Sequence, residues 1–254
     1  ASGGSGIVVV RYQIGTVTTA KATGGIISRA NGYTIHTFNA SGTFTTEPNW
    51  VDGNVTYLVV GGGGGAGKVT PTNSPWATGG SGGGGGGVRY GTTPVTGTGT
   101  AVTVVAGAGG IAQNDADTNS GAAEGNPSSF GSPITSGGGG RGGSRSNPPY
   151  AGGQGKAYGG SGGGGTWASP VGGSGPFSTT HPGGIDITSP ATQGFGHGGQ
   201  DVGPPQPYAG GGGGGAGGSG GAGDAYGTSV KGGVGARYTI SAGVTGDSGD
   251  AVYY

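Results

Sequence analysis

The stretch Val55-Thr-Tyr-Leu-Val-Val-Gly-Gly-Gly-Gly-Gly65 joins a β-prone run directly to five consecutive glycines. All residues of the first half except Leu58 are β-branched or aromatic, which predicts a strand. Glycine has no side chain to bury and disfavours regular helix, so the second half must be held by its backbone alone. The junction therefore predicts a fold built from strands and glycine backbone.

The composition extends this pattern to the whole chain. Glycine supplies 75 of the 254 residues, and Leu, Ile, Val and Phe together make up about 14%, below the roughly 20% that a packed core usually needs. The formal net charge is zero, which argues against nucleic acid or an anionic membrane surface as a partner. The absence of cysteine excludes disulfides, and no apolar run is long enough for membrane insertion.

Further β-prone runs are clustered along the chain, and a clustered pattern argues against disorder. They are Ile7–Tyr12, Tyr33–Phe38, Gly42–Thr46, Ala101–Val105, Arg237–Ile240 and Ala251–Tyr254. Asn39-Ala-Ser-Gly42 separates the second run from the third and predicts a hairpin between them. No window has a 3.6-residue apolar period, so we expect essentially no α-helix.

The glycines come in short tracts separated by turn-rich connectors. The tracts are 61–65, 82–87, 137–140, 162–165 and 210–215. A collagen triple helix is excluded because it needs glycine at strictly every third position. An extended threefold helix of the polyglycine II type fits better, since its outward-pointing amides can bond neighbouring copies. The alternative is a flexible Gly-rich linker, which fast hydrogen exchange throughout the tracts would reveal.

The predicted fold class is therefore all-β. It consists of a short antiparallel sheet or sandwich plus a packed layer of polyglycine II-type helices. Ordering glycine costs roughly 1 to 2 kcal/mol of backbone entropy per residue, so the tracts need a platform of strands that fixes their ends.

Several strand phrases resemble those of glycine-rich domains in bacteriophage tail-fibre and related virion proteins. The phrases are Gly32–Phe44, Val55–Gly65, Thr100–Gly110 and Asn126–Gly131, and Gly4–Tyr12 is similar to the strand that normally closes such a domain. The resemblance implies a location on a virion fibre or outside the cell. It also implies a non-enzymatic module that is structural or that binds a host cell-surface glycan or outer-membrane protein.

The resemblance also suggests a division of the chain. Residues 1–30 would hold a strand closing a preceding unit and a Thr-rich connector, and residues 31–110 a β-strand platform with the first tracts. Residues 111–234 would form the polyglycine-helix and loop region, and residues 235–254 the C-terminal strands of a truncated unit in a tandem array. Alternatively, Ile7–Tyr12 could complete a sheet in a neighbouring copy and so build a structural filament by strand addition.

Seven aromatic residues are assigned to the connectors between tracts, where we expect no sheet core to bury them. They are Trp76, Tyr90, Tyr150, Tyr158, Trp167, Phe177 and Tyr208. Rigid aromatic rings flanked by Gly, Ser, Asn and Pro are typical of protein surfaces that bind sugars or other proteins. These residues are the predicted receptor-binding set. The alternative is that they fold over tract ends and cover bare glycine backbone.

Two motifs bear on cofactors. Asp115, Asp117 and Asn119 place oxygen ligands at alternate positions, as a calcium loop does, but the glycine and glutamate that should follow are displaced. The weak calcium candidate competes with ordinary Asx turns, and we otherwise expect no cofactor. Gly62–Lys68 falls one residue short of a phosphate-binding loop because Val69 stands at the Ser/Thr position.

Overall fold

The computed structural model describes residues 1–14, 19–67, 81–113, 122–143, 160–164, 211–215, 220, 231–233 and 235. Within these ranges the chain forms ten strands and no α-helix, which confirms the all-β prediction. No helix in this part of the chain is long and apolar enough to cross a membrane. The strands are β1 (Ile7–Gln13), β2 (Ala22–Thr23), β3 (Ile26–Ala30), β4 (Tyr33–Phe38), β5 (Gly42–Thr46), β6 (Gly53–Val60), β7 (Val88–Val95), β8 (Ala101–Val105), β9 (Ser128–Phe130) and β10 (Thr135–Ser136).

The strands form two antiparallel sheets of five. The order in the first sheet is β3-β4-β1-β6-β7, and in the second it is β10-β9-β8-β5-β2. One hydrophobic cluster contains buried side chains from both sheets, including Val10 and Tyr57 from the first and Phe44 and Val104 from the second. The sheets therefore pack face to face as a sandwich.

Aromatic rings fill the centre of this sandwich. The ring of Phe44 in the second sheet lies edge-on to His36 and Phe130, with centroids 5.0 Å and 5.7 Å away. Tyr12 of the first sheet packs edge-on against Trp50 at 5.0 Å. Edge-to-face pairs at these separations are favourable beyond the area that they bury. A few large rings thus fill the core of a chain that contains a single leucine, Leu58.

The hairpin predicted around Asn39–Gly42 is wrong. The runs on either side are strands β4 and β5, but β4 pairs with β1 and β3 whereas β5 pairs with β8 and β2. The turn therefore carries the chain from one sheet to the other. The hairpin lies one turn earlier, where Asn31 and Gly32 link β3 to β4 with φ of 50° and 79°. Positive φ at both positions is what a two-residue hairpin turn requires.

The first strand is part of a sheet of its own chain. β1 lies at the centre of the first sheet, paired with β4 on one side and β6 on the other. Both edges of this strand are used by its own chain, so strand exchange through Ile7–Tyr12 is excluded in this structure. Strands β9 and β10, which lie beyond residue 111, also belong to the second sheet.

In the part of the chain that the structure describes, eight tracts of backbone outside the strands lie beside the sandwich and form what we call the tract bundle. They are T1 (1–6), T2 (61–67), T3 (81–87), T4 (106–113), T5 (122–127), T6 (137–143), T7 (160–164) and T8 (211–215). Six of them are continuous with a strand. T1 leads into β1, T3 into β7 and T5 into β9, while β6 leads into T2, β8 into T4 and β10 into T6.

Backbone hydrogen bonds join the tracts with a period of three residues. T2 shows this most fully, because its amides donate in rotation to three different neighbours. Gly61, Gly64 and Gly67 donate to T3 at 2.8–3.0 Å, Gly62 and Gly65 to T5 at 2.9 Å, and Gly63 and Ala66 to T1 at 2.9–3.0 Å. T2 also accepts bonds from T4 and T6. A chain that turns through one third of a circle per residue produces such a pattern.

The spacing between tracts leaves no room for most side chains. A Cβ built on Gly61 would lie 2.0 Å from the carbonyl oxygen of Gly137, and one on Gly65 would lie 2.1 Å from that of Ile111. Real Cβ atoms do not approach backbone this closely. The glycines of the bundle interior are thus required by contact between backbones, as the sequence predicts.

Candidate functional site

The strand junctions give the tract bundle two distinct ends. The base end is where Gly6, Gly61, Gly87 and Gly137 meet the sandwich. The distal end is the opposite one, and hydrogen bonds between chain termini of the tracts mark its level. These bonds run from Ala66 to Ala1, from Gly67 to Ser81, from Gln113 to Ala66, from Gly143 to Gly164 and from Gly82 to Gly211.

The chain leaves the described tracts repeatedly at the distal end. It departs after Gly67 and returns at Ser81, departs after Gln113 and returns at Ala122, and departs after Gly164 and returns at Gly211. A fourth departure, after Gly143, also lies at this level. Four connectors therefore start from one end of the molecule, and we take this end as the candidate functional site.

Most of the predicted site residues belong to those connectors in sequence. Six of the seven aromatics lie outside the described residues: Trp76, Tyr150, Tyr158, Trp167, Phe177 and Tyr208. So do the calcium candidates Asp115, Asp117 and Asn119. The C-terminal strand phrases after residue 235 also lie outside the part of the chain that the structure describes.

Tyr90 is the exception, and the structure assigns it elsewhere. It lies in strand β7, not in a connector, and its ring packs against a second apolar cluster on the outer face of the first sheet. That cluster includes Val9, Leu58 and Val88. Tyr90 is thus separated from the distal end by the length of T3. Its side chain is partly buried by the first sheet, whereas the sequence predicted that no sheet core would bury it.

The amides of the phosphate-loop-like sequence are occupied. Gly62, Gly63 and Gly65 donate them to carbonyl groups of other tracts at 2.9 Å. A phosphate loop needs such amides free to point at the ligand. The hydrogen-bonding of T2 therefore agrees with the sequence, which already argued against a phosphate site there.

The one histidine in the described ranges, His36, is structural in its contacts. Its Nδ1 lies 2.7 Å from the carbonyl oxygen of Gly24 and its Nε2 lies 3.3 Å from the hydroxyl of Tyr12. That hydroxyl accepts bonds from the amides of Lys21 and Ala22 at 2.9 Å and 3.0 Å. The neutral imidazole that donates from Nδ1 satisfies all of these partners.

Burial sets the protonation of both rings. It lowers the pKa of His36, because removing the imidazolium from water outweighs the opposing hydrogen bond to Gly24. It raises the pKa of Tyr12, mainly because the phenolate would lose its hydration. Both groups stay neutral near pH 7 and hold the segment around β2 against the first sheet. The described ranges contain no group of three or more His, Cys, Asp or Glu that could hold a metal ion.

Comparison with known proteins identifies a family for most of the chain. The model of a family described as a glycine-rich domain matches residues 38–254. Neither the curated proteins nor the solved structures contain a match to this sequence.

Proposed function

The chain belongs to the glycine-rich domain family, and from this premise we propose that it is a structural and receptor-recognition module of a bacteriophage fibre. The module is non-enzymatic and works on a virion fibre or otherwise outside the cell. Its connectors bind a host cell-surface glycan or outer-membrane protein, and its other contacts are with adjoining repeats or copies of the same fibre.

The observation that carries this proposal is the shared origin of the connectors. Four of them start at the distal end of the tract bundle and contain the six aromatics named above, and three of these four also return at that end. Loops that leave one end of a rigid scaffold form a binding surface in many recognition proteins. Trp and Tyr rings suit such a surface because they supply large contact area at low entropic cost.

We further propose that the tracts are polyglycine II-type helices. The support is the period of three in their hydrogen bonds, together with the five neighbouring tracts that bond to T2. A helix of this type has no internal hydrogen bonds, so its stability depends on side-by-side packing. The bundle thereby supports the connectors rigidly, although the bundle itself has no hydrophobic core.

Binding to whole cells tests the recognition role. Fluorescently labelled protein is added to a panel of bacterial strains that differ in surface polysaccharide and outer-membrane proteins, and bound label is counted by flow cytometry. We expect saturable binding to some strains. Replacing the six connector aromatics with serine should reduce this binding at least about tenfold, since each buried aromatic anchor contributes strongly to an interface.

The matched control changes the opposite end of the molecule. Replacing Thr96 and Thr98 with alanine alters the exposed turn 96–99 between β7 and β8 without touching a connector, and it keeps Gly97 and Gly99, whose φ angles are positive. Cell binding should survive this change. The proposal is contradicted if no strain binds, or if the serine variant retains its circular dichroism spectrum and binds as well as the unmodified protein.

A filament subunit that assembles by strand addition is the second candidate. Strand β3 favours it, because this edge strand pairs only with β4 among the described strands and exposes Ile26 and Ile27. Exposed apolar edges are templates for a further strand. Sedimentation would show concentration-dependent polymers, which Ile27→Lys should abolish. A protein that remains monomeric would eliminate this candidate.

A further inference from the structure

Arg89 of strand β7 is a charged side chain enclosed in the sandwich. It stands opposite Val59 in the pairing of β7 with β6, and Val59 belongs to the hydrophobic cluster between the two sheets. Arg89 therefore points into the same interior, and only 1% of its surface is exposed. Arginine is almost never buried this deeply unless its charge is paired.

The protein satisfies only part of this guanidinium. Its Nη1 donates to the carbonyl oxygens of Pro133 and Thr135 at 2.7 Å and 3.4 Å. Its Nε and Nη2 are shielded from solvent, and no group of the protein accepts a hydrogen bond from them. No carboxylate in the described part of the chain forms an ion pair with Arg89. An enclosed positive charge without a counter-charge is strongly unfavourable.

A second buried group without a partner lies on the adjoining strand. Ser136 of β10 is fully buried, and its Oγ has no hydrogen-bond partner in the protein. Ser136 stands opposite Ser128, two residues before the inward-facing Phe130, so its side chain points inward as well. Its neighbour Thr135 is one of the two carbonyl partners of Arg89. The two incompletely bonded side chains thus face the same interior from adjoining strands.

We infer that a small monovalent anion such as chloride binds between Arg89 and Ser136. The Nε–H and one Nη2–H of a guanidinium point in parallel and can hold one anion together. The hydroxyl of Ser136 donates to the same anion from β10. Doubly charged sulfate or phosphate is disfavoured, because the cost of removing an ion from water rises steeply with its charge.

The bound anion links the two sheets at the base end of the tract bundle. It joins β7 to β10 where T3 and T6 meet these strands, and at this level the amide of Gly87 donates to the carbonyl of Gly137 at 2.8 Å. The anion stabilises the folded protein, since the unfolded chain has no such site. This site is independent of the proposed function, because the connectors start at the distal end.

Urea unfolding of the full chain tests this inference in mixtures of sodium chloride and sodium gluconate at a constant total of about 0.3 M, which holds charge screening fixed. Gluconate is too large for the enclosed site. Replacing gluconate with chloride should raise the ratio of folded to unfolded protein saturably, about tenfold for a Kd of about 30 mM. An unchanged ratio would overturn the inference.

NMR of the same samples observes the site directly. The Nε–H signal of Arg89 should shift saturably with chloride and not with gluconate. A signal that shows contact with water and does not respond to chloride would assign these donors to an enclosed water molecule, and this result would also overturn the inference.

Variants separate this site from general effects of the salt. Arg89→Met removes the charge and should abolish the chloride response, whereas Ser136→Ala should raise the Kd for chloride at least about threefold. Arg29→Gln removes an exposed cation from β3 and should leave the response unchanged. If Arg89→Met fails to fold, Ser136→Ala and the NMR shift decide. A variant of Arg89 or Ser136 that responds to chloride as the unmodified protein does contradicts the inference.

Discussion

Gly63 and Gly64 are neighbours in tract T2, yet their surroundings differ sharply. A Cβ on Gly64 would lie 2.0 Å from the carbonyl oxygen of Gly140, whereas one on Gly63 would meet nothing nearer than 3.6 Å. Three residues beyond Gly63 the chain carries alanine, Ala66. The distance to the neighbouring backbone thus determines, residue by residue, where a side chain is tolerated.

This contrast gives a matched pair of substitutions. Gly64→Ala should lower the free energy of unfolding by about 1–3 kcal/mol or more, because the methyl group forces two backbones apart. Gly63→Ala should leave it unchanged or raise it by up to about 1 kcal/mol, because alanine restricts the unfolded chain. Urea denaturation followed by circular dichroism measures both. Equal effects of the two substitutions would refute the close packing of T2.

Protonation of His36 should destabilise the protein in mild acid. The pKa of His36 is lowered in the folded state, so from about pH 6.5 downward the unfolded chain binds more protons than the folded one. Stability therefore falls as pH drops through this region until the folded pKa is reached. Above about pH 7 this group contributes no pH dependence.

The measurement is the free energy of unfolding between pH 8 and pH 5, with His36→Gln as control. Glutamine retains a donor and an acceptor but does not titrate, so the variant should lose less stability on acidification than the unmodified protein. Parallel pH profiles would show that another group causes the acid effect. His181 and His197 remain in both proteins and cancel in the comparison.

At the scale of elements, sequence reasoning worked where β-prone residues are contiguous. Tyr33–Phe38, Gly42–Thr46 and Ala101–Val105 are strands with the bounds that the sequence suggested. The local sequence pattern did not predict which strands pair with each other, because a turn can join strands of two different sheets as well as neighbouring strands of one sheet. The hairpin signal at Asn31-Gly32 was present in the sequence and was missed.

The strands that sequence reasoning missed have weaker local signals. β7 contains Gly91 and Pro94, both of which are usually depleted in strands. Pro94 is accommodated because β7 is an edge strand. β9 and β10 are only three and two residues long. β10 pairs locally with β9, but β9 joins the sheet only through β8, which is distant in sequence, and a single sequence does not reveal such a contact.

Tract T4 allows a test of the threefold period at this scale. Val105, Ala108 and Ile111 recur every third residue and are all exposed, whereas a Cβ on Gly109 would lie 2.0 Å from the carbonyl oxygen of Gly3. Inserting one glycine after Ala106 moves Ala108 into the position of Gly109. Inserting three glycines moves it into the exposed position of Ile111 instead.

The one-glycine insertion should therefore destabilise the protein more than the three-glycine insertion, although the latter is longer. Extra loop length by itself costs little, about 0.6 kcal/mol per doubling. Thermal denaturation of the two variants and the unmodified chain makes the comparison. If stability simply decreases with the number of inserted residues, the tracts do not have a threefold period.

At the scale of the whole molecule, the sandwich and the tract bundle should unfold together. Six tracts are continuous with strands, and glycine backbone alone gains too little from burial to offset its ordering entropy. In a urea titration followed by NMR, the methyl signals of Val104 and the amide signal of Gly64 should disappear at one midpoint. Loss of the Gly64 amide at lower urea than the Val104 methyls would show that the bundle melts separately.

The receptor-binding role of the aromatic residues stays a prediction. Sequence reasoning assigned aromatics to connectors from their glycine and proline neighbours, and six of seven lie in chain segments that start from the distal end. Tyr90 was misassigned because strand β7 was not recognised.

The continuity of strand and tract also has a mechanical consequence. A force applied to the chain at the distal end is transmitted along a tract to the strand that is continuous with it. No loop lies between tract and strand that could extend under this force. The hydrogen bonds that link each tract to its neighbours lie across the direction of pull, at every residue in the best-bonded tract. Such bonds are loaded in shear and share the force, whereas bonds opened from one end break in succession. We therefore expect the glycine tracts, which are continuous with strands of the sandwich, to resist a stretching force applied along them.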